Sequence, residues 1–175
     1  MKACIVTYDE YLNIPYIKDY EKLLSKNNVL YDIVFWNRTG DENNLPRIHG
    51  NVYTFQHYVK QSKLSKVLPF FQWRMFTKRI LQLKSYDCII VCTTVPAVLL
   101  FDILTKKYKE RYVLDIRDFT YESVGLYRCI VKRLIAHSGL TTISSKGFLE
   151  WLPFSEERYV IMHNLMNDPV VESVY

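Results

Sequence analysis

Two carboxylates and a guanidinium stand within four residues at Asp115-Ile-Arg117-Asp118, directly after the apolar run Tyr112-Val-Leu. Such groups can hold a polar ligand, orient a hydroxyl, or close on one another as an ion pair. If Tyr112 to Ile116 is a buried parallel strand, the cluster lies at its carboxyl end, where open α/β sheets place their ligands. Asp118 is the first candidate to touch a ligand, against a salt bridge from Arg117 to Asp115 or Asp118 that pins the loop. Asp115, nearer the strand interior, reads as structural. Glu122 can bind a ligand or cap the following helix, and the cap is favoured. By the same topology Asp9, Glu10 and Asn13 face the crevice from the end of the first strand. Ser144, Ser145, Lys146 and Gly147 end a later strand and open a helix, where N–H groups could meet a phosphate or simply be capped. His163 and Asn164 end the last strand, at a cleft or in a turn.

The elements that must position these groups alternate along the chain. Strands are expected at Lys2 to Tyr8, Val29 to Trp36, Asn51 to Phe55, Tyr86 to Thr93, Arg111 to Ile116, Leu140 to Ser144 and Arg158 to His163. Helices are expected from Pro15 to about Lys26 (Ile17, Tyr20, Leu23 and Leu24 on one face), and from His57 to Ser85 with a break near Pro69. Others are expected from Val95 or Pro96 to Lys107, Ser123 to His137 and Ser145 to Trp151. Strands too apolar to be wet on one side call for a parallel sheet wrapped by helices. The expected fold is a Rossmann-like three-layer αβα domain over residues 1–164, with a mainly parallel sheet of about seven strands and residues 165–175 as linker or tail.

Several function classes are excluded by what is missing. The turn after the first strand has no glycine, so there is no G-x-G-x-x-G, and no G-x-x-x-x-G-K-[ST] occurs anywhere. Asp115 and Asp118 are three apart, not the two of a D-x-D site; there is no G-x-S-x-G, and the four histidines make no H-x-x-x-H. His49 and His57 read as surface residues. No metal and no cofactor are expected. The four cysteines form no CxxC pair and read as buried free thiols in a reducing compartment. The longest apolar runs are too short to span a bilayer, and the first residues lack the shape of a signal peptide, so a cytoplasmic location is expected.

Charge is unevenly spread. From Asn43 to Tyr86 there are eight basic residues and no acidic one, whereas the rest of the chain carries 15 basic and 18 acidic residues, so the whole excess of +5 arises in this window. Helical spacing puts Trp73, Phe76, Ile80 and Leu83 on a core face, with Arg74 and Lys78 opposite. Lys60, Lys63, Lys66, Phe70, Phe71, Arg74 and Lys78 could face an anionic membrane, peripherally on its inner surface. The alternative is a solvated helix face. No nucleic-acid-binding motif accompanies the charge, and no nucleic-acid partner is expected.

Three segments in order resemble the N-terminal domain of bacterial GT-B glycosyltransferases of the family 4 kind, those that build capsules and other surface polysaccharides. They are Ile5-Val-Thr-Tyr with Asn13-Ile-Pro-Tyr-Ile-Lys18 and Tyr31-Asp-Ile-Val-Phe-Trp36-Asn-Arg38; then Val113-Leu-Asp115-Ile-Arg117-Asp118; then Thr142-Ile-Ser144-Ser145-Lys-Gly147-Phe148 leading to Tyr159-Val-Ile-Met-His163-Asn164. The resemblance implies a single half of a GT-B fold, the acceptor-binding half of a retaining transferase. Such an enzyme moves a sugar from a nucleotide-sugar to a lipid-linked saccharide. It places Asp118 as the catalytic candidate, Asp9, Glu10, Asn13, Asp115, Arg117, Glu122 and Ser145 against the acceptor, and His163 and Asn164 at an interdomain cleft. The donor would need a second domain or subunit, so no transferase activity is expected of these 175 residues alone. The competing reading is a non-catalytic Rossmann-like module, or a remnant, that docks a protein or an anionic membrane.

Overall fold

The computed structural model describes residues 1–40, 46, 48–57 and 67–163. Seven strands form one sheet: β1 (Lys2–Val6), β2 (Leu30–Asn37), β3 (Val52–Gln56), β4 (Cys88–Cys92), β5 (Tyr112–Ile116), β6 (Leu140–Ile143) and β7 (Tyr159–Ile161). Every pairing is parallel and the spatial order is β3-β2-β1-β4-β5-β6-β7. This is the expected Rossmann-like α/β fold. The chain winds outward from β1 to β3, returns to the centre at β4, and winds the other way to β7. The order therefore reverses between β1 and β4, and the loops leaving those strands part there to open a crevice at the carboxyl edge.

Side-chain alternation divides the apolar residues between the two faces. One face carries Cys4, Val6, Val34, Trp36, Ile89, Val91, Leu114 and Ile116. It is covered by α2 (Val67–Leu83), α3 (Thr94–Leu99), α4 (Phe101–Lys106) and α5 (Gly125–His137). The other carries Ala3, Ile5, Ile33, Phe35, Ile90 and Cys92 under α1 (Ile17–Lys26). Each fully buried Ile, Leu or Phe contributes ~1.5–3 kcal/mol, which makes this double burial the main stabilising term. At the carboxyl end of β2 the Trp36 indole meets Phe55 and Phe70 edge-on, with ring centroids 5.4 and 5.3 Å apart. These contacts hold the first turn of α2 at the same edge as the crevice.

Several expectations are corrected in detail. On α1 it is Ile17, Tyr20 and Leu24 that are buried, while Leu23 faces outward. Of the helix expected from His57 to Ser85, Val67–Leu83 is helical with Pro69 in the first turn of α2, where a proline costs no intrahelical bond, and residues 58–66 lie outside the described residues. The buried face of α2 is Pro69, Trp73, Thr77 and Leu81, and Leu83 is exposed. The single helix expected up to Lys107 is two short ones that meet at Leu100. The short helix expected from Ser145 to Trp151 is present as a 3-10 helix, Lys146–Glu150. All four cysteines are free, yet Cys129 is exposed, not buried.

Candidate functional site at the carboxyl edge

The sequence cluster splits into a frame and a free group. In β5 residues two apart share a face, and Arg117 turns back on Asp115: its Nε donates to both carboxylate oxygens at 2.8 Å, and Nη1 to the Met162 carbonyl at 2.6 Å. The Thr142 hydroxyl donates to Asp115 Oδ1 at 2.6 Å, and Tyr20 lies 3.0 Å from Thr142. The guanidinium also stacks 4.6 Å from the Tyr16 ring centroid. This knot ties β5, β6, the end of β7 and α1 together. Burial pushes the Asp115 carboxyl above its ordinary value, against the pull of Arg117, Thr142 and Tyr20. For Arg117, whose burial lowers it, the charge of Asp115 prevails and raises the guanidinium. The carboxylate loses more hydration than its partner, so the contact lifts one group without bringing the other down.

Asp118, three residues on, is exposed. Its charge bears on two tyrosines: Tyr8, just past β1, and Tyr16, before α1. Both phenols are raised chiefly by burial, with Asp118 among the further causes. Tyr8 also lies under the Arg38 guanidinium, 5.5 Å from its ring centroid, and its carbonyl accepts from Arg38 Nη2 at 2.9 Å.

At the foot of the crevice, β4 is followed by Thr93 with φ 74 and ψ 166. That backbone region belongs almost wholly to glycine and costs ~1–3 kcal/mol for other residues. The Thr93 N–H donates to the Asp115 carbonyl at 2.8 Å, and its Oγ1 is buried with no hydrogen-bond partner. Sequence reasoning passed over Thr93, Tyr8 and Tyr16. Position directly after a strand could have flagged Tyr8; a non-glycine residue in a glycine conformation carries no signal of its own.

The other expected site residues fall in different places. Glu10 is buried and accepts from the Arg38 and Thr39 amides at 3.2 and 2.9 Å, so it holds the β2 loop. Asp9 accepts from the Glu10 amide at 2.8 Å and lies 3.9 Å from Arg38 Nη1. Asn13 is exposed on a 3-10 turn. Glu122 is buried and accepts from Thr94 Oγ1 at 2.8 Å and the Thr120 amide at 2.6 Å. Ser145 is exposed before a 3-10 turn and makes no side-chain cap bond. His163 is exposed just past β7. Asn164, Lys60, Lys63 and Lys66 lie outside the described residues. Phe70 is inside the aromatic cluster with Trp36, and Phe71 is exposed. Arg74 and Lys78 do not point away from the protein: Arg74 Nη2 lies 3.1 Å from Asp102 Oδ1 and Lys78 closes on Oδ2 of the same carboxylate. An open groove of about 560 Å³ between α5 and the Glu150–Pro153 turn is lined by none of these crevice residues. Among the described residues no group of three or more His, Cys, Asp or Glu could hold a metal ion, and no helix is long and apolar enough to cross a membrane.

The geometry therefore defines an α/β domain that, among the described residues, carries the exposed Asp118 carboxylate at its carboxyl edge, near the Tyr8 and Tyr16 phenols. No family model matches the chain, and no curated protein matches it. Among solved structures it is similar to the crystal structure of phenylacrylic acid decarboxylase from Aquifex aeolicus. The identity is 15%, the match covers 90% of this chain and 87% of that one, and the TM-score is 0.40. That finding corrects the expected glycosyltransferase resemblance, and with it the transferase activity, the GT-B assignment and the place in polysaccharide synthesis: the structure found is that of a decarboxylase. At that level of likeness it carries no argument about what this chain does. The expectation of a separate donor half rested on the glycosyltransferase resemblance alone and is not carried further.

Proposed function

We propose that this chain is a Rossmann-like binding module for a small ligand with hydrogen-bond donors, hydroxyl or amine, and a flat apolar face. The ligand takes the crevice between the ends of β1 and β4. The observation that carries this reading is the exposed Asp118 carboxylate just past β5 at the carboxyl edge, near enough for its charge to bear on the Tyr8 and Tyr16 phenols, while Asp115, Glu10 and Glu122 are spent on the frame. A carboxylate accepts from hydroxyl or amine donors, and tyrosine rings give a flat group a surface to lie on. The strained Thr93 beneath supports the same place, since such strain concentrates at ligand sites. A cytoplasmic location fits the four free thiols, which persist in a reducing compartment.

Adenosine, with a flat base and a ribose diol, is a suitable first probe. Calorimetric titration should give saturable binding that Asp118→Asn weakens by about tenfold or more, the loss of one hydrogen bond to a charged group. Equal affinity in the two proteins would remove Asp118 from the site, and no binding would refute the ligand class.

A further inference from the structure

The helical layer formed by α2, α3, α4 and α5 differs from the α1 face in its charge. It carries seven basic residues (Arg74, Lys78 and Arg79 on α2, Lys106 on α4, Arg128, Lys132 and Arg133 on α5) against the single acid Asp102. Asp102 is already held by Arg74 and Lys78. Among the described residues the other five have no carboxylate within ion-pair distance, and all five are exposed. On the opposite face α1 alternates Lys18, Lys22 and Lys26 with Asp19 and Glu21.

The same layer presents protruding apolar side chains. Val67, Leu68, Phe71 and Met75 stand out from the first half of α2, with Val67 71% exposed. Phe119, Tyr121, Val124 and Leu126 stand out from the entry to α5, with Leu126 74% exposed. Both groups belong to one edge: Phe70 of α2 lies 6.0 Å from Tyr8, and the Tyr121 phenol is near enough to bear on that of Tyr8. Apolar tips along the carboxyl edge thus stand beside unpaired basic heads on the helices behind them.

We infer that this layer is a docking surface for an anionic lipid membrane, with the apolar tips of the α2 and α5 entries dipping into the interface and Arg79, Arg128, Lys132 and Arg133 over the headgroups. Apolar side chains facing the acyl boundary and Lys/Arg beside them are what an interfacial surface requires. None of these apolar tips lines the groove beside α5, although Phe119 packs edge-on against Trp151 and Tyr121 against Tyr127; protruding tips of this kind favour a fluid lipid surface over a shaped protein partner. Charge complementarity sets the sign of that surface: an excess of unpaired cations needs anionic headgroups.

Co-sedimentation of the 175-residue chain with phosphatidylcholine vesicles, with and without phosphatidylglycerol, at low and high salt, tests this. Binding should need the anionic lipid and fall with salt. The triple variant Arg79→Gln/Lys132→Gln/Arg133→Gln should lose about 100-fold in partitioning, roughly fivefold for each cation removed. The single variant Leu126→Glu, far from any buried contact, should lose about tenfold. Lys18→Gln/Lys22→Gln/Lys26→Gln on α1 should stay within about threefold, since that face is turned away. Equal binding to neutral vesicles, an equal loss in the α1 variant, or capture by polyglutamate without any vesicle binding would each overturn the inference.

Discussion

Two carboxylates are buried in this sheet, one at each edge, and the fold treats them in opposite ways. Asp32 on β2 sits toward the amino edge. It takes the Lys2 ammonium at 2.8 Å, the Tyr86 hydroxyl at 2.7 Å, and the Asn51 backbone and side-chain N–H groups at 2.9 and 3.1 Å. Burial alone would raise its carboxyl, but these partners more than offset it and hold the group below its ordinary value. Asp115 at the carboxyl edge has a bidentate arginine and a threonine, yet its carboxyl is raised by burial. Asp32 gathers four donors from a half-exposed lysine, a backbone amide, an amide side chain and a phenol; Asp115 is boxed in by groups that must also hold β7 and α1. The amino edge is built to settle its charge. The edge that borders the crevice is left with unresolved charge and a strained backbone at Thr93.

The comparison breaks most clearly in stability. Asp32→Asn should cost about 3 kcal/mol in a urea titration, because it removes a charge that the fold favours. Asp115→Asn should cost less, about 1–2 kcal/mol, because the fold already disfavours that charge relative to its neutral form. The reverse order would mean that the Arg117 pairing outweighs the burial of Asp115.

The acid limb sharpens the same point. Asp32, with its folded value depressed, contributes stability that is present above the ordinary carboxylate range and is lost as pH falls through the depressed value. Asp115, with its folded value raised, contributes with the opposite sign: most at low pH, lost as pH rises through the raised value. Thermal midpoints against pH should therefore flatten on the acid side in Asp32→Asn. In Asp115→Asn the protein should gain relative to wild type as pH rises from the acid range to neutral. Parallel profiles for the two variants would remove the distinction.

Smaller effects belong to the crevice itself. Thr93→Gly should raise stability by about 1 kcal/mol, by relieving the left-handed backbone at some cost in chain entropy. Asp118→Asn should leave stability within about 0.5 kcal/mol, as an exposed group outside the frame should. A large loss on Asp118→Asn would make it part of the frame and not a ligand contact.

Much of the architecture could be read from the chain before any coordinates. Seven apolar runs separated by helical periodicity imposed a parallel sheet, because strands such as Cys88-Ile-Ile-Val-Cys have no polar side to leave wet. The pairing of Arg117 with Asp115 was also within reach, since residues two apart on a strand share a face. The α2 stripe was misjudged because the reading followed apolar residues only. The buried row runs through Thr77, whose polar label hides a small side chain packed against the core. Arg74 and Lys78 were given to a membrane because their acid, Asp102, lies over 20 residues away in sequence. The motif resemblance misled for a related reason: an Asp-x-Arg-Asp run after a strand has one appearance whether it binds a ligand or knots a sheet. Only burial separates Asp115 from Asp118.

The central claim is that the ligand edge lies between Tyr8, Thr93 and Asp118, and it is tested most directly by following backbone amides during a titration. In ¹⁵N-labelled protein, adenosine should shift the amides of Tyr8, Thr93 and Asp118 in one saturable process. In Asp118→Asn the same amides should move only at about tenfold higher concentration or more. Shifts confined to other parts of the molecule, or the same titration curve in both proteins, would contradict the account.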